Sequence, residues 1–294
     1  MNKTSVLSPP ITRNSGVIRA ALLLGTIVMT FSLLRAQTVD SLASGKVVGL
    51  DYYYNNEWRH LPNGWQEQYH YVWEDTANSG FSILGGIIRS CGAQLSSLHA
   101  SADPDSLRAF SIYIIVDPDT PLETSDAHYI GERDGAAIAA WVHNGGVLVL
   151  MGNDSGNAEF AHFNTLAGRF GIHFNEDSEH KVPGNDYEKG ASVNLPPHPI
   201  FEGVHKIYMK EVSTLRLSPP ADTLLLENGH VLMATARYGA GTVFAVGDPW
   251  LYNEYIDTRK LPADFENGPA ARSLFRWLLS QASVPARLPA DVPK

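Results

Sequence analysis

Two stretches decide the fold of this chain: Ser111-Ile112-Tyr113-Ile114-Ile115-Val116 and Val147-Leu148-Val149-Leu150-Met151. Each is a short, nearly continuous apolar run, as expected for a strand that helices cover on both faces. Between them, residues 135–143 place their apolar side chains on one helical face, and Asn144-Gly145-Gly146 ends that helix. Strand, helix and strand in this order predict parallel pairing in an open α/β sheet with helices on both faces.

The same alternation extends outward from this unit. On the N-terminal side, residues 46–50 predict a first strand and residues 81–89 the helix that follows it. On the C-terminal side, residues 159–170 predict another helix. From residue 172 the pattern changes to short extended pieces, which predict a C-terminal hairpin region with arms at 230–236 and 242–246 and a closing helix at 270–279.

The first 36 residues predict a secretory signal peptide. Three basic residues precede a mostly apolar, uncharged stretch at 20–34, and Ala36 stands before the polar Gln37. We therefore expect cleavage before Gln37 and a mature protein in the periplasm or outside the cell, without a membrane attachment. Arg35 is unusual beside a cleavage site, so the alternatives are an uncleaved membrane anchor and a buried core helix.

The rest of the chain is predicted to be one domain, residues 37–283, followed by a disordered tail at 284–294 that contains three prolines. Signal cleavage would remove four basic residues and no acidic one, which leaves 18 Lys and Arg against 31 Asp and Glu, a net charge of −13. Nucleic acids and anionic membranes are bound through clustered Lys and Arg, so we exclude both as partners.

Cysteine and motif usage exclude several kinds of chemistry. Cys91 is the only cysteine and lies in an apolar stretch, so we expect a core position and no disulfide or thiolate metal site. No Gly-x-Ser-x-Gly elbow and no His-Glu-x-x-His zinc motif occurs. The sequence identifies no metal site and no cofactor. His70 stands near Glu74 and Asp75, which could orient and charge it; the alternative is a surface histidine.

Four predicted strands are followed by an acidic residue, and these residues are the candidate catalytic groups: Asp51, Asp117, Asp154 and Asp248. In open parallel sheets, ligands bind in the crevice outside the carboxyl ends of the strands, so we expect these side chains at one rim. Paired carboxylates can act as acid and base, orient sugar hydroxyls or hold a hard cation. The alternative is that each Asp caps a helix or shapes a turn.

Aromatic and polar residues accompany these strand ends. The candidate substrate-binding residues are Tyr52, Tyr54, Trp58, Arg59, His70, Trp73, Glu74, Asn153, Trp250, Tyr252 and Glu254. Rings of this kind cover the C–H face of a sugar while amides and acids bind its hydroxyls. We predict that the segment 52–73 and the segment around Trp250 form opposite walls of one sugar-sized pocket. The alternative is a long loop that its rings anchor to the domain.

Several long motifs resemble one protein family. They are residues 51–58, 70–75 with 78–81, 116–120, 151–154 and 246–255. Together they resemble a bacterial domain that is commonly joined to unsaturated rhamnogalacturonyl hydrolases in pectin degradation, and that is similar to the class I glutamine amidotransferase-like, flavodoxin-like superfamily. The resemblance covers residues 46–280. It implies a flavodoxin-like fold and a Gram-negative bacterium that degrades polysaccharides.

Two departures narrow what this resemblance implies. An amidotransferase triad needs a Cys at a strand–helix elbow, whereas the strand ends here carry Asp, so we do not expect glutaminase activity. The chain is also too short to hold the helical (α/α)6 hydrolase domain in addition, so we expect that hydrolase activity to belong to the fusion partner.

These features support three hypotheses of function: an enzyme that processes pectin-derived oligosaccharides, a non-catalytic glycan-binding module, and an accessory that docks on a partner glycoside hydrolase. The negative charge opposes a polyanionic ligand, so we expect a small oligosaccharide or a neutral sugar end instead of a long galacturonan. Arg59 and Arg259-Lys260 are the groups that could bind a single uronate.

Overall fold

The computed structural model describes Met1 and residues 43–285. The predicted signal peptide after Met1 and residues 286–294 of the predicted tail lie outside the described residues. Among the residues described, no helix has both the length and the apolar character needed to cross a membrane.

The described chain alternates strands and helices up to residue 167 and is mostly strands after that. In order, the elements are β1 (Val47–Asp51), β2 (Trp58–His60), β3 (Gln66–Gln68), α1 (Ser82–Ser90), β4 (Gln94–Leu98), α2 (Pro104–Leu107), β5 (Ile112–Val116), α3 (Glu132–His143), β6 (Val147–Met151), α4 (Phe160–Ala167), β7 (Ile172–Phe174), β8 (Ala191–Ser192), β9 (Ile207–Tyr208), β10 (Leu215–Leu217), β11 (Ala221–Glu227), β12 (His230–Tyr238), β13 (Gly241–Val246) and α5 (Asn267–Gln281). Short 3₁₀ turns lie at Gly168–Phe170, Tyr187–Gly190 and Pro199–Phe201.

A nine-stranded sheet forms the centre of the domain, in the order β4-β1-β5-β6-β13-β12-β10-β7, with β11 paired to β12. The first five strands of this order are parallel, and the remaining pairs are antiparallel. The register of β5 and β6 runs from Ile112 opposite Val147 to Val116 opposite Met151. The predicted α/β class with an open, mostly parallel, flavodoxin-like sheet is therefore confirmed.

Helices cover both faces of the parallel strands. In β5, Ile112 and Ile114 join the core cluster that contains side chains of α1 and α5. Tyr113 and Ile115 point the other way, into the cluster that contains side chains of α3 and α4. Successive residues of a strand face opposite sides, so a strand buried on both faces needs an apolar residue at every position. Burying each large apolar side chain stabilises the fold by about 1.5–3 kcal/mol.

The predicted hairpin exists as β12 and β13, and it belongs to the central sheet. β13 lies parallel to β6 along its whole length, so the hairpin extends the sheet and does not form a separate region. Its turn is tight because Gly239 has φ 59° and a side chain there would meet the ring and carbonyl of His143.

Some elements differ from the sequence predictions. The helix predicted at 159–170 ends at Ala167, and a 3₁₀ turn leads to Gly171, whose φ of 78° reverses the chain into β7. The edge strand β4 and the small hairpin of β2 and β3 were not predicted. Their half-exposed, Gln- and Ser-containing sequences lack the apolar runs of the central strands.

Candidate functional site

A pocket of about 660 Å³ opens at the carboxyl ends of β6 and β13. Its lining comes from five separate parts of the chain: His70, Tyr71, Ala77, Asn78, Ser79, Glu123, Asn153, Asn157, Lys210, Glu211, Asp248, Tyr252 and Glu254. Ligand sites in open α/β sheets lie at this edge, and pockets of small-molecule ligands have about 300–1,000 Å³. Most of the lining side chains are polar.

Two aromatic rings join the segments that follow the first and the last strand of the parallel sheet. The rings of Tyr71 and Tyr252 meet edge to face, with centroids 5.8 Å apart. The buried Asn253 holds the two segments together, since its amide donates to the carbonyl oxygens of Asp75 (3.0 Å) and Ala77 (2.8 Å). The two segments therefore do line one pocket, through different rings from those that the sequence suggested.

His70 and Glu57 form a hydrogen-bonded pair at the pocket wall. Nδ1 of His70 contacts Oε1 of Glu57, and the hydroxyl of Tyr69 donates to Oε2 of Glu57 at 2.8 Å. Burial acts to raise the pKa of Glu57, but the bonds from His70 and Tyr69 outweigh it, and the pKa lies below its usual value. The imidazole is stacked on Tyr71 at 4.2 Å. Sequence proximity suggested Glu74 and Asp75 as partners of this ring, and the fold supplies Glu57 instead.

The backbone of this site is held in unusual conformations. His70, Tyr71 and Glu211, which line the pocket, have φ of 64°, 53° and 52°, and Asp117 beside it has φ of 42°. A non-glycine residue in this region costs about 1–3 kcal/mol, and such residues cluster at functional sites. The strain is held locally, for example by the N–H of Tyr71, which donates to the carbonyl of Ser79 at 2.8 Å.

Two carboxylates at the strand ends are deeply buried. Asp248 is 3% exposed and lines the pocket, and its Oδ2 accepts the N–H of Lys210 at 2.8 Å. Burial raises the pKa of Asp248 to about 7. Asp117 accepts the side-chain amide of Asn153 at 2.9 Å, and its other oxygen, Oδ1, is buried without a partner among the described residues. Burial and the nearby charge of Glu123 raise the pKa of Asp117 well above its usual value.

The pocket is rich in negative charge. Four acidic side chains line it, and Lys210 is the single Lys or Arg in the lining. Its ammonium lies 3.0 Å from the carboxylate of Glu211. Glu254 is paired with Lys260, and burial raises the pKa of Glu123. An anionic ligand would be repelled from such a site unless it displaced one of these pairs.

A second, more open groove adjoins the pocket and shares Glu211 with it. Asp154, one of the predicted catalytic residues, lies in this groove beside Asp177, Glu179 and Lys181. The carboxylate of Asp154 accepts the side-chain amide of Asn157, which lines the main pocket, at 2.5 Å.

The carboxyl ends of β1, β5, β6 and β13 lie side by side, but only part of the predicted site reaches the pocket. Of the residues proposed from the sequence, the lining contains Asp248, His70, Asn153, Tyr252 and Glu254. Asp51 is a structural residue, because its two oxygens accept the hydroxyl of Tyr113 (2.8 Å) and the backbone N–H groups of Tyr54 and Asn55.

Several rings that were expected to bind a ligand are part of the core instead. Trp250 is 1% exposed and Tyr54 is fully buried, and both belong to core clusters, so neither can stack on a sugar. Trp73 donates its indole N–H to the carbonyl of Ser96 at 3.0 Å. Tyr52 is also buried and donates its hydroxyl to Glu74. The predicted binding roles of these rings and of the exposed Glu74 are therefore corrected.

Two further predicted residues lie on the hairpin of β2 and β3, outside the pocket. Trp58 is 54% exposed, and Arg59 contacts Glu67, Asp75 and the face of Tyr69. The groups that the sequence missed are the lining residues Tyr71, Glu123, Lys210 and Glu211, together with Glu57. Glu57 and Tyr71 stand inside the aromatic segment that had been singled out, while the other three carry no local signal. Among the described residues, no three His, Cys, Asp or Glu side chains are grouped as a metal site.

No protein-family model and no curated protein matches the sequence of this chain. Solved structures match its fold. The mmIFT52 N-terminal domain has a TM-score of 0.59 and 16% identity, over 79% of this chain and 97% of that one. The cytoplasmic protein STM1381 from Salmonella typhimurium LT2 has a TM-score of 0.56 and 14% identity, over 81% of this chain and 100% of that one. At such identities the likeness shows the fold alone.

The matches also include a glutamine amidotransferase-like protein, a putative GMP synthase component from Thermoplasma acidophilum. It has 10% identity over 80% of this chain and 93% of that one, with a TM-score of 0.44. This agrees with the flavodoxin-like superfamily, but a score this low carries no argument. The link to rhamnogalacturonyl hydrolases stays a prediction.

Proposed function

We propose that this protein binds a small oligosaccharide, through a neutral sugar, in the pocket at the carboxyl ends of β6 and β13. The observation that carries the proposal is the lining itself: Tyr71 and Tyr252 supply ring surface, and amides and carboxylates surround them. A sugar needs both, since its C–H face packs on rings while its hydroxyls bind polar groups.

The charge of the lining supports a neutral sugar over a uronate. The carboxylates of Asp248 and Glu123 accept hydrogen bonds from hydroxyls, whereas the carboxylate of a uronic acid would meet them at the same sign of charge. Lys210, the lining cation, is already paired with Glu211. A rhamnogalacturonan fragment that presents a neutral end fits these requirements better than an oligogalacturonate.

The same proposal includes export and a place in pectin degradation, on the strength of the N-terminal segment and the family resemblance. The protein would meet fragments of the polysaccharide outside the cytoplasm. N-terminal sequencing of the native protein should begin at Gln37. An intact Met1 in a membrane fraction would contradict this part of the proposal and support the anchor.

Calorimetric titration with a panel of rhamnogalacturonan fragments and oligogalacturonates tests the binding. We expect heat with neutral-ended fragments and none with oligogalacturonates. Tyr252→Phe keeps the ring and removes a hydroxyl that lines the pocket, so it should cost about 0.5–1.5 kcal/mol of binding free energy. Tyr129→Phe is the matched control, since Tyr129 stacks on His162 outside the pocket lining. Equal affinities for both variants, or preference for oligogalacturonates, would contradict the proposal.

A second candidate function is docking on a partner glycoside hydrolase. It is favoured by two exposed rings on the small hairpin, Trp58 (54% exposed) and Trp65 (73% exposed). Mixing the protein with an unsaturated rhamnogalacturonyl hydrolase should then give a larger species in gel filtration. The double variant Trp58→Ser, Trp65→Ser should abolish that species and leave sugar binding unchanged.

A further inference from the structure

We infer that the pocket is catalytic and hydrolyses a glycosidic bond, with His70 as the general base and Asp248 as the general acid. This inference rests on the proposed binding function and goes beyond it. It also differs from the catalytic set that the sequence suggested, because His70 replaces Asp51, Asp117 and Asp154.

The geometry of His70 suits a base. Glu57 contacts its Nδ1, so the tautomer and the ring direction are set, and Nε2 has no hydrogen-bond partner among the described residues. The ring lines the pocket and is held from the side by Tyr71. Glu57 is itself fixed by the hydroxyl of Tyr69. A carboxylate that orients a histidine and stabilises its imidazolium form is the arrangement that general bases use. Glu57 is thus a positioning residue.

The strained backbone supports the same inference from an independent direction. His70 and Tyr71 are consecutive non-glycine residues with positive φ, and this conformation is what turns both side chains to the pocket. A purely structural loop has no need to hold two such residues, each at a cost of about 1–3 kcal/mol.

Asp248 supplies the acid. It is 3% exposed, it lines the pocket, and only its Oδ2 has a hydrogen-bond partner in the described part of the chain, the N–H of Lys210. Oδ1 is therefore free to carry a proton to a ligand. Burial keeps a substantial share of this carboxyl protonated near neutral pH, as an acid catalyst requires.

Hydrolysis moves two protons in opposite directions across the pocket. His70 Nε2 takes a proton from a water molecule while the water oxygen forms a bond to the anomeric carbon. The bond between that carbon and the glycosidic oxygen breaks, and the leaving oxygen takes the proton of Asp248. Solvent then returns a proton to Asp248 and removes one from His70, so that the net reaction adds one water. The adjoining groove, which shares Glu211 with the pocket, provides space for the rest of the oligosaccharide.

The test uses the full chain and the fragment panel above, with calorimetry and chromatography of products on the same samples. We expect new reducing ends from each fragment that binds. His70→Gln and Asp248→Asn should each lower kcat by about 10²–10⁴-fold while the affinity changes by less than about threefold. His162→Gln is the matched control, because its Nδ1 also pairs with a glutamate, Glu159, at 3.0 Å, but it stands outside the pocket lining.

Glu57→Gln separates a positioning role from a structural one. It removes the negative charge that stabilises the imidazolium, so the acidic limb of the pH–rate profile should move to lower pH as kcat falls, which a loss of folded protein would not produce. Heat without products from every fragment would overturn the catalytic inference and leave the binding function standing. Products formed by His70→Gln at the wild-type rate would overturn the role of His70. Absence of both heat and products would overturn both proposals.

Discussion

Replacing Trp250 by alanine separates the core of this protein from its pocket. The sequence pattern suggested a stacking platform, for which the substitution would weaken sugar binding and leave the fold intact. The structure places the indole in the core at 1% exposure, in the cluster that contains α1 and α5. Its N–H has no partner within the described ranges, so the substitution removes packing but no hydrogen bond of the side chain there.

Removing a buried Trp or Phe side chain costs about 3–5 kcal/mol, from lost transfer free energy and from the cavity left behind. Domains are stable by about 5–15 kcal/mol, so Trp250→Ala should lose a large part of the total and melt about 10 °C or more below the wild type. Trp250→Phe should recover part of the loss. Trp58→Ala, at a site that is 54% exposed, should stay within about 0.5 kcal/mol.

Urea unfolding followed by far-ultraviolet circular dichroism measures these changes without relying on the tryptophan signal. The midpoint of Trp250→Ala should fall while its slope stays near the wild-type slope. A loss below about 1 kcal/mol, together with weaker binding of oligosaccharides, would refute the core placement and restore Trp250 as a ligand-binding ring.

Three further predictions concern the frame of the pocket. Asn253→Ala leaves two backbone carbonyls at 75–77 without their donor, so it should lose about 2–3 kcal/mol in urea unfolding; a change below about 0.5 kcal/mol would contradict that tether. Gly80→Ala should destabilise strongly because its side chain would overlap a backbone carbonyl of that turn, whereas Gly86→Ala, with open space in α1, should raise the unfolding free energy by up to about 1 kcal/mol. The pKa of Asp248 is raised to about 7 by burial, so the folded state holds its proton more tightly, and this contribution to stability is present below about pH 4 and lost as the pH rises through about 7. Asp248→Asn should flatten that decline in unfolding free energy between about pH 4 and pH 8, and an unchanged slope would argue against the raised pKa.

The sequence was sufficient for the parts of the fold that depend on neighbours along the chain. The central strands and their helices were predictable because a strand covered on both faces needs an apolar residue at every position, and a helix needs one on every third or fourth. The strand ends also located the ligand edge, since parallel strands bring their carboxyl ends together. Asp248 and Asn153 follow from that rule alone.

Only the tertiary structure decided which side chains form the pocket. An aromatic residue near a strand end has the same local pattern whether its ring enters the core, as Trp250 does, or meets a ligand, as Tyr252 is placed to do. Glu57 and His70 are thirteen positions apart, and nothing between them indicates that a loop will bring them together. Lys210 reaches the site from a region of irregular sequence. Burial and partnership are set by contacts between distant segments, and those contacts depend on the order in which the strands pair, β4-β1-β5-β6-β13, which local periodicity does not encode.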